Sequence, residues 1–554
     1  MRDAAQNAAG YQAKGGGCYL LKSELGSRVC DLEEETNFYQ KRKEPLGYGQ
    51  GQNPVVKARG VTKAERSLQR LAERSFLSLW SYPNLFIDKG GSKNKGQEFC
   101  DLLVVFDLHV LIFSDKDIKY PRIGNRDVAW KRWFKKAVMK SSNQVYGAER
   151  WLKQYPDRIY LDQACTQPFP LDLPSPDEVI VHRIVVAHGA SEWCKRELGG
   201  TGSLMIAPSV IAEAHYDLTP PMRPFTIGQI NPEKGFVHVF DDTTLDVVME
   251  TLDTITDFTN YLMRKERFIE SGKLTFAAGE DDLLAFYLRE LNDDGEHDCV
   301  AGEEFDSILI EEGFWEKFSH HPQRLAQIEA DKPSYFWDEL IEGFSKNILA
   351  DTQYYTSRPG VRHSEQIFRF MAKEPRIRRR LLAKSLLEFA LKTPANYKAA
   401  RVMKPSRPGD PFYVFVLLPS LYAKTPEEYR EVRYKLLEAY CFVTKLSFPE
   451  ALDIVGIATE SGNPGGSGED ALYFDAREWT PELEAEAKSL QADLGLLTNV
   501  TMFSGKEKEY PDTQPLEKRD PSVWPLMKGR HRNAPCPCGS GKKYKHCCGK
   551  RRAV

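Results

Sequence analysis

The chain lacks any apolar run long enough to span a bilayer, and its N-terminus lacks the charged-then-apolar segment that directs secretion. Neither membrane insertion nor export is expected, and the expected compartment is the cytoplasm. Disulfide-framework spacing is lacking too. Seven of the 11 cysteines (Cys18, Cys30, Cys100, Cys165, Cys194, Cys299 and Cys441) are scattered singly, which suits a reducing environment. Net charge is nearly absent: 76 Lys and Arg stand against 79 Asp and Glu, leaving −3 and no global preference for a polyanion. There is no internal repeat. His182, His188, His320, His321 and His363 form no set with cysteines or acids at catalytic spacing. The "GSGKKY" stretch is not a phosphate loop, because the earlier glycine and the Ser/Thr are missing.

What is present is ordinary globular composition, 41% hydrophobic and 28% charged over 554 residues. That length suits about three or four domains. The patterning predicts an α/β and α+β multidomain chain. Residues 1–57, rich in Gly, Gln and Ala, read as a disordered leader. A first α/β unit follows over 58–194, with a helix in "VTKAERSLQRLAERSFLSLW", strands in "SYPNLFID", "EFCDLLVVF" and "HVLIFSD", a long basic amphipathic helix, and further strands in "DRIYL" and "DEVIVHRIVVAHGA". Residues 195–395 read as a mixed, mostly helical middle and 396–504 as an α+β unit. A linker is expected over 505–530 and a small module over 531–554. Charge is local where it is not global. Lys116, Lys119, Arg122, Arg126, Lys131, Arg132, Lys135, Lys136 and Lys140 face only Asp115, Asp117 and Asp127. "EPRIRRRLLAK" is a second basic knot, equally suited to phosphate or to a solvated helix face. The acids Glu280, Asp281 and Asp282 suit the first turn of a helix.

The tail "APCPCGSGKKYKHCC" presents Cys536-x-Cys538, eight residues, then Cys547-Cys548. Four soft ligands are what a closed tetrahedral Zn²⁺ site requires, and nearby lysines offset the charge of four thiolates. So short a module has almost no core, so metal binding would supply its folding energy. These residues resemble the SEC-C motif, the zinc-binding tail associated with the SecA translocation ATPase. The resemblance implies a docking appendage, to protein or ribosome, and not a motor.

A second constellation is Glu65 on the first helix, Asp101 at the head of one strand and Lys116 at the end of the next. This order resembles the PD-(D/E)xK superfamily of restriction-endonuclease-like nucleases, Glu65 lying at a Glu-Arg helix start. The resemblance implies carboxylates holding Mg²⁺ or Mn²⁺ beside a lysine, and hydrolysis of DNA or RNA. Glu65, Asp101, Asp115 and Lys116 are the expected catalytic set. Glu73, Glu98, Ser114, Asp117 and Lys119 are secondary candidates. Strand alternation pairs Ser114, not Asp115, with Lys116, so the expected acid is replaced unless a bulge turns Asp115 inward. Lys131, Arg132, Lys135 and Lys136 are the expected nucleic-acid contacts, whereas Trp130, Trp133 and Phe134 are expected in the core. Bacterial defence or nucleic-acid processing would suit such a chain. The rival expectation is a non-catalytic adaptor, built on a degenerate nuclease fold, that docks to translation or secretion machinery.

Overall fold

The computed structural model describes residues 18–24 and 53–512, apart from 91–94, 123, 219–222, 290, 293–294, 301–304, 355, 357–359, 463–467 and 506, together with 542–543 and 546. The first helix, α1 (Lys63–Ser75), begins where Thr62 stands three residues before Glu65. Thr62 accepts from the Glu65 N–H, and the Glu65 carboxylate accepts from the Thr62 N–H, closing a capping box. Leu68, Ala72 and Ser75 form its buried face.

Three antiparallel strands follow: β1 (Ser81–Ile87), β2 (Gln97–Phe106) and β3 (His109–Asp117). Asp107 and Leu108 make the tight β2–β3 connection, with Asp107 at φ +54°, a conformation that short polar side chains tolerate. The chain then crosses over the sheet through α2 (Arg126–Phe134), a π-helical stretch (Lys135–Met139) and α3 (Lys140–Gln154). It returns as β4 (Ile180–His188), parallel to β3, and later adds β5 (Val237–Asp241), parallel to β4. With the short strand Ile159–Tyr160 outside β1, these elements make a six-stranded sheet. Its central strands are buried almost continuously, as expected where both faces are covered. Phe76, just after α1, packs 6.5 Å from Phe113 on one face, while Ser114 reaches α3 on the other.

The helix aromatics are core. Trp130, Trp133 and Phe134 are fully buried, each burying on the order of 150–250 Å². The Trp133 indole N–H is shared between the carbonyls of Ile118 and His188, which ties α2 to the ends of β3 and β4. Lys131, Arg132, Lys135 and Lys136 are exposed beside them.

Several expectations are corrected. The 1–57 segment is not wholly outside the fold. Its strand Cys18–Glu24 lies inside a C-terminal six-stranded sheet, between Ala399–Met403 and Val500–Gly505. Asn53–Lys57 is also docked, Val55 bonding the Leu349 carbonyl. The first sheet does not close at 194, because β5 comes after a second, four-stranded sheet has begun. The expected linker starts late: Arg380 donates to the carbonyls of Lys508 and Glu509, and His297 pairs with Glu509 at 2.9 Å. Within the helical middle, the helix Thr244–Thr251 ends at Leu252, and Thr254 caps the next helix, Ile255–Glu270. Finally, the knot at Arg376–Arg380 is neither a phosphate site nor a solvated face. Arg378, Arg379 and Arg380 are buried against carboxylates and carbonyls. Among the described residues no helix is long and apolar enough to cross a membrane.

Candidate active site at one end of the N-terminal sheet

The ends of β2, β3, β4 and β5 bring four carboxylates, a lysine and a histidine to one end of the sheet, and the start of α1 adds Glu65. Asp101, on β2, is buried. Its Oδ2 accepts from the Asp115 backbone N–H at 2.7 Å and from the Lys116 ammonium at 3.3 Å. Glu98 stands at the rim of this pocket. Desolvation, then the neighbouring Asp101 carboxyl, lifts its pKa to about 7, with Glu65 adding to the rise and Lys116 opposing it. Glu65 therefore has two tasks: it closes the α1 capping box, and its charge is felt by both Glu98 and Asp115.

Asp115 is only 4% exposed, and among the described residues neither of its carboxylate oxygens finds a well-aligned hydrogen bond. His188 faces it, with Nε2 2.9 Å from Asp115 Oδ1. Burial raises the Asp115 pKa more than His188 lowers it. With His188 on Oδ1 alone, the remaining lone pairs of this buried carboxylate are costly unless something else occupies them. The other ring nitrogen of His188 is 3.0 Å from Asp242 Oδ1, and Asp242 accepts from the N–H groups of Gly189 and Ser191. Gly189 has φ +98°, and a side chain there would meet the Ile118 carbonyl at 2.2 Å, so only glycine lets the two strand ends approach this closely.

Burial alone would lower the His188 pKa, but its bonds to Asp115 and Asp242 raise it to about 10. A raised folded pKa stabilises fully below the unfolded value of about 6.5. That contribution is lost as pH climbs through about 10. Replacing His188 by Gln is therefore expected to destabilise the chain more at pH near 6 than near 10, as read by urea unfolding. An equal loss at both pH values would remove the ion pair as its cause.

The secondary candidates separate. Ser114 is buried and donates to Gln144 on α3. The β3–β4 pairing runs through Ser114, Asp115 and Lys116 without a shift, so no bulge turns Asp115. Asp115 instead shares the face of Phe113, where His188 meets it. Glu73 accepts from Gln69 at 2.8 Å and lies in the field of Lys57, which also contacts the carbonyls of Ser78 and Ser81. Asp117 and Lys119 are exposed. His188 and Asp242 escape a reading by motif, because neither has a fixed spacing to the others. The signal that finds them is topological: "AHG" and "FDD" end neighbouring parallel strands, where open sheets gather their functional groups.

Oxygen donors suit Mg²⁺ or Mn²⁺. As they stand, however, no three His, Cys, Asp or Glu side chains among the described residues converge on a point where one ion would sit. Cys536, Cys538, Cys547 and Cys548 lie outside the described residues.

Their surroundings are matched by a known family over residues 532–550. That stretch is a SEC-C motif. The SEC-C segment aligns with the curated protein translocase subunit SecA of Granulibacter bethesdensis at 54% identity over 9% of this chain. It aligns with SecA of Halothermothrix orenii at 65% over 7%, and with SecA of Nitratidesulfovibrio vulgaris at 49% over 8%. These alignments span only 4–5% of the relatives' own lengths, so the SEC-C likeness speaks for the tail and not for the chain. No solved structure matches.

Proposed function

We propose that this chain is a metal-dependent phosphodiesterase acting on DNA or RNA, with a restriction-endonuclease-like N-terminal unit and a zinc-held SEC-C docking tail. The observation that carries the reading is the buried Asp101, with Lys116 on its carboxylate, next to the buried Asp115, whose backbone N–H it also accepts and whose own carboxylate meets only His188 among the described residues. The element order supports it: helix, three-stranded antiparallel meander, crossover helix, then a strand parallel to the third.

Asp101, Asp115 and Glu98 would hold the divalent ion. When bound, the ion activates water and screens the charge of the scissile phosphate. Lys116, already on Asp101, is placed to orient the water or to stabilise charge developing on the phosphate. His188, held by Asp115 and Asp242, is a positioning residue for Asp115. The exposed Lys131, Arg132, Lys135 and Lys136 run from this end of the sheet and would take the nucleic-acid backbone.

The test is purified full-length protein with plasmid and single-stranded substrates in Mg²⁺, Mn²⁺ or EDTA. Metal-dependent cutting is expected. Salt-sensitive binding without cutting in any metal would replace this reading with that of the adaptor.

For the tail, Cys536, Cys538, Cys547 and Cys548 supply a closed thiolate set. About one zinc per chain is expected by metal analysis. It should be lost in Cys536→Ser/Cys538→Ser, while the unfolding of the remainder stays unchanged. Metal-free wild-type protein, prepared without chelator, would rule the zinc out.

A further inference from the structure

The crossover helix carries a surface much longer than the active site needs. From Lys131 to Gln154 the exposed positions are Lys131, Arg132, Lys135, Lys136, Lys140, Asn143, Arg150, Lys153 and Gln154. The stretch holds a single acid, Glu149, which is turned inward onto Arg183 at 2.5 Å and also takes Lys153 at 2.9 Å. The π-helical turn at Lys135–Met139 absorbs an extra residue. Discounting it, Lys131 and Arg150 stand roughly five helical turns apart and therefore in phase. Without that turn the cations at the two ends would face different ways.

At the far end the stripe opens into a groove of about 540 Å³ lined by Asn143, Tyr146, Gly147, Arg150, Lys153 and Lys234, with Glu149 behind them. Gly147 sits in the middle of α3, where glycine costs helix stability. Among the described residues nothing requires it, since a Cβ there would meet no atom within 4 Å. The absent side chain leaves the helix surface open to close approach from outside.

We infer that this stripe and groove form a second nucleic-acid contact, a track for the phosphates of a duplex that leads away from the acidic pocket. The inference rests on the nucleic-acid reading of that pocket but not on its hydrolysing anything. Lys131 to Lys153 covers roughly 33 Å at about 1.5 Å per residue, close to one duplex turn of about 34 Å. A rigid duplex suits a straight row of cations. A single strand would need exposed aromatic rings to stack on. Here Trp130, Trp133 and Phe134 are buried, the Tyr146 hydroxyl bonds the Gly235 carbonyl, and the half-buried Tyr216 ring is covered by Lys131 and Lys135. A single exposed ring, Tyr155, just past the end of the stripe, offers no row to stack on.

The experiment is fluorescence anisotropy in EDTA, so that no cutting intervenes. Full-length wild type, Lys140→Glu/Arg150→Glu and Gly147→Trp are compared, with circular dichroism confirming their folds. The probes are DNA and RNA duplexes of roughly two turns, about 20 base pairs, a duplex of about 6 base pairs, and a single strand of about 20 nucleotides. The long duplex is expected to bind both variants at least about tenfold more weakly than wild type, and the double variant with a salt dependence shallower by about two phosphates. The short duplex should change less than about twofold. Gly147→Ala is the fold control, expected to melt higher than wild type. Unchanged long-duplex binding in both variants, or tighter binding of the single strand, overturns the track and leaves the nuclease reading standing. Absence of any nucleic-acid binding by wild type overturns both.

Discussion

Asp101→Asn is expected to lower metal-dependent cleavage by about 10²-fold or more, with the fold intact. The substitution is chosen for its geometry. The Asp101 Oδ2 holds the Asp115 backbone N–H at 2.7 Å, and an asparagine oxygen can still accept that bond. What is lost is the negative charge that faces Lys116 and that the proposed cation would need. Lys116→Met should cost a similar factor, about 10²–10³, because one donor aimed at developing charge is removed. Asp115→Asn belongs with them, since its carboxylate is the one with least reason to be buried otherwise. Two controls separate chemistry from general damage. Glu73→Gln lies about two turns further along α1, toward Lys57, and Asp117→Asn is exposed beyond the pocket, so each should cut within about twofold of wild type. Cleavage by Asp101→Asn at the wild-type rate would sink the site, and loss in the controls would sink its boundaries.

Much of this site was legible in the sequence, because its parts announce themselves locally. A capping residue before Glu65, an apolar run opening at Asp101 and a hairpin turn at Asp107 are each readable from a few neighbours. Together they place Glu65, Asp101 and Lys116 at one end of one sheet. The choice between Ser114 and Asp115 was not legible. Strand alternation assigns faces, but which face carries chemistry depends on β4 and β5, which arrive later in the chain and bring His188 and Asp242. Those two residues are joined only by parallel pairing, so no spacing rule reaches them. The leader failed for a related reason. "CYLLKSE" is a single short strand between uninformative stretches, and its partners are some 380 and 480 residues away. A row of histidines, His109, His182 and His238, likewise assembles only when three strands align. All of these depend on contacts between segments that are remote in sequence.

The second large effect is expected in the knot that sequence reading placed at the surface. Five arginines or lysines within "RIRRRLLAK" look like a basic face, since composition carries no record of what lies opposite. In the fold, Asp338 accepts from Arg376 at 2.7 Å and from Arg379 at 2.7 Å, while Arg380 reaches Asp331 at 2.6 Å. Arg379 and Arg380 are at most 1% exposed, so their charge is tolerated only while these partners stay. Asp338→Ala leaves Arg379 without its carboxylate, keeping only the carbonyls of Glu374 and Ala372, whereas Arg376 retains Asp253 at 2.8 Å. Stranding a buried charge in this way costs roughly 3–5 kcal/mol. Removing both charges is the informative comparison. Asp338→Leu/Arg379→Met should recover much of that loss, because apolar groups of similar size avoid the desolvation that the ion pair must offset. Glu388→Ala, at an exposed helical pair with Lys392, should change stability by no more than about 0.5 kcal/mol. Urea unfolding of the full chain reads all three. If Asp338→Ala falls no further than Glu388→Ala, the arginines do not depend on their carboxylates. If the double variant falls as far as the single one, the loss belongs to packing and not to charge.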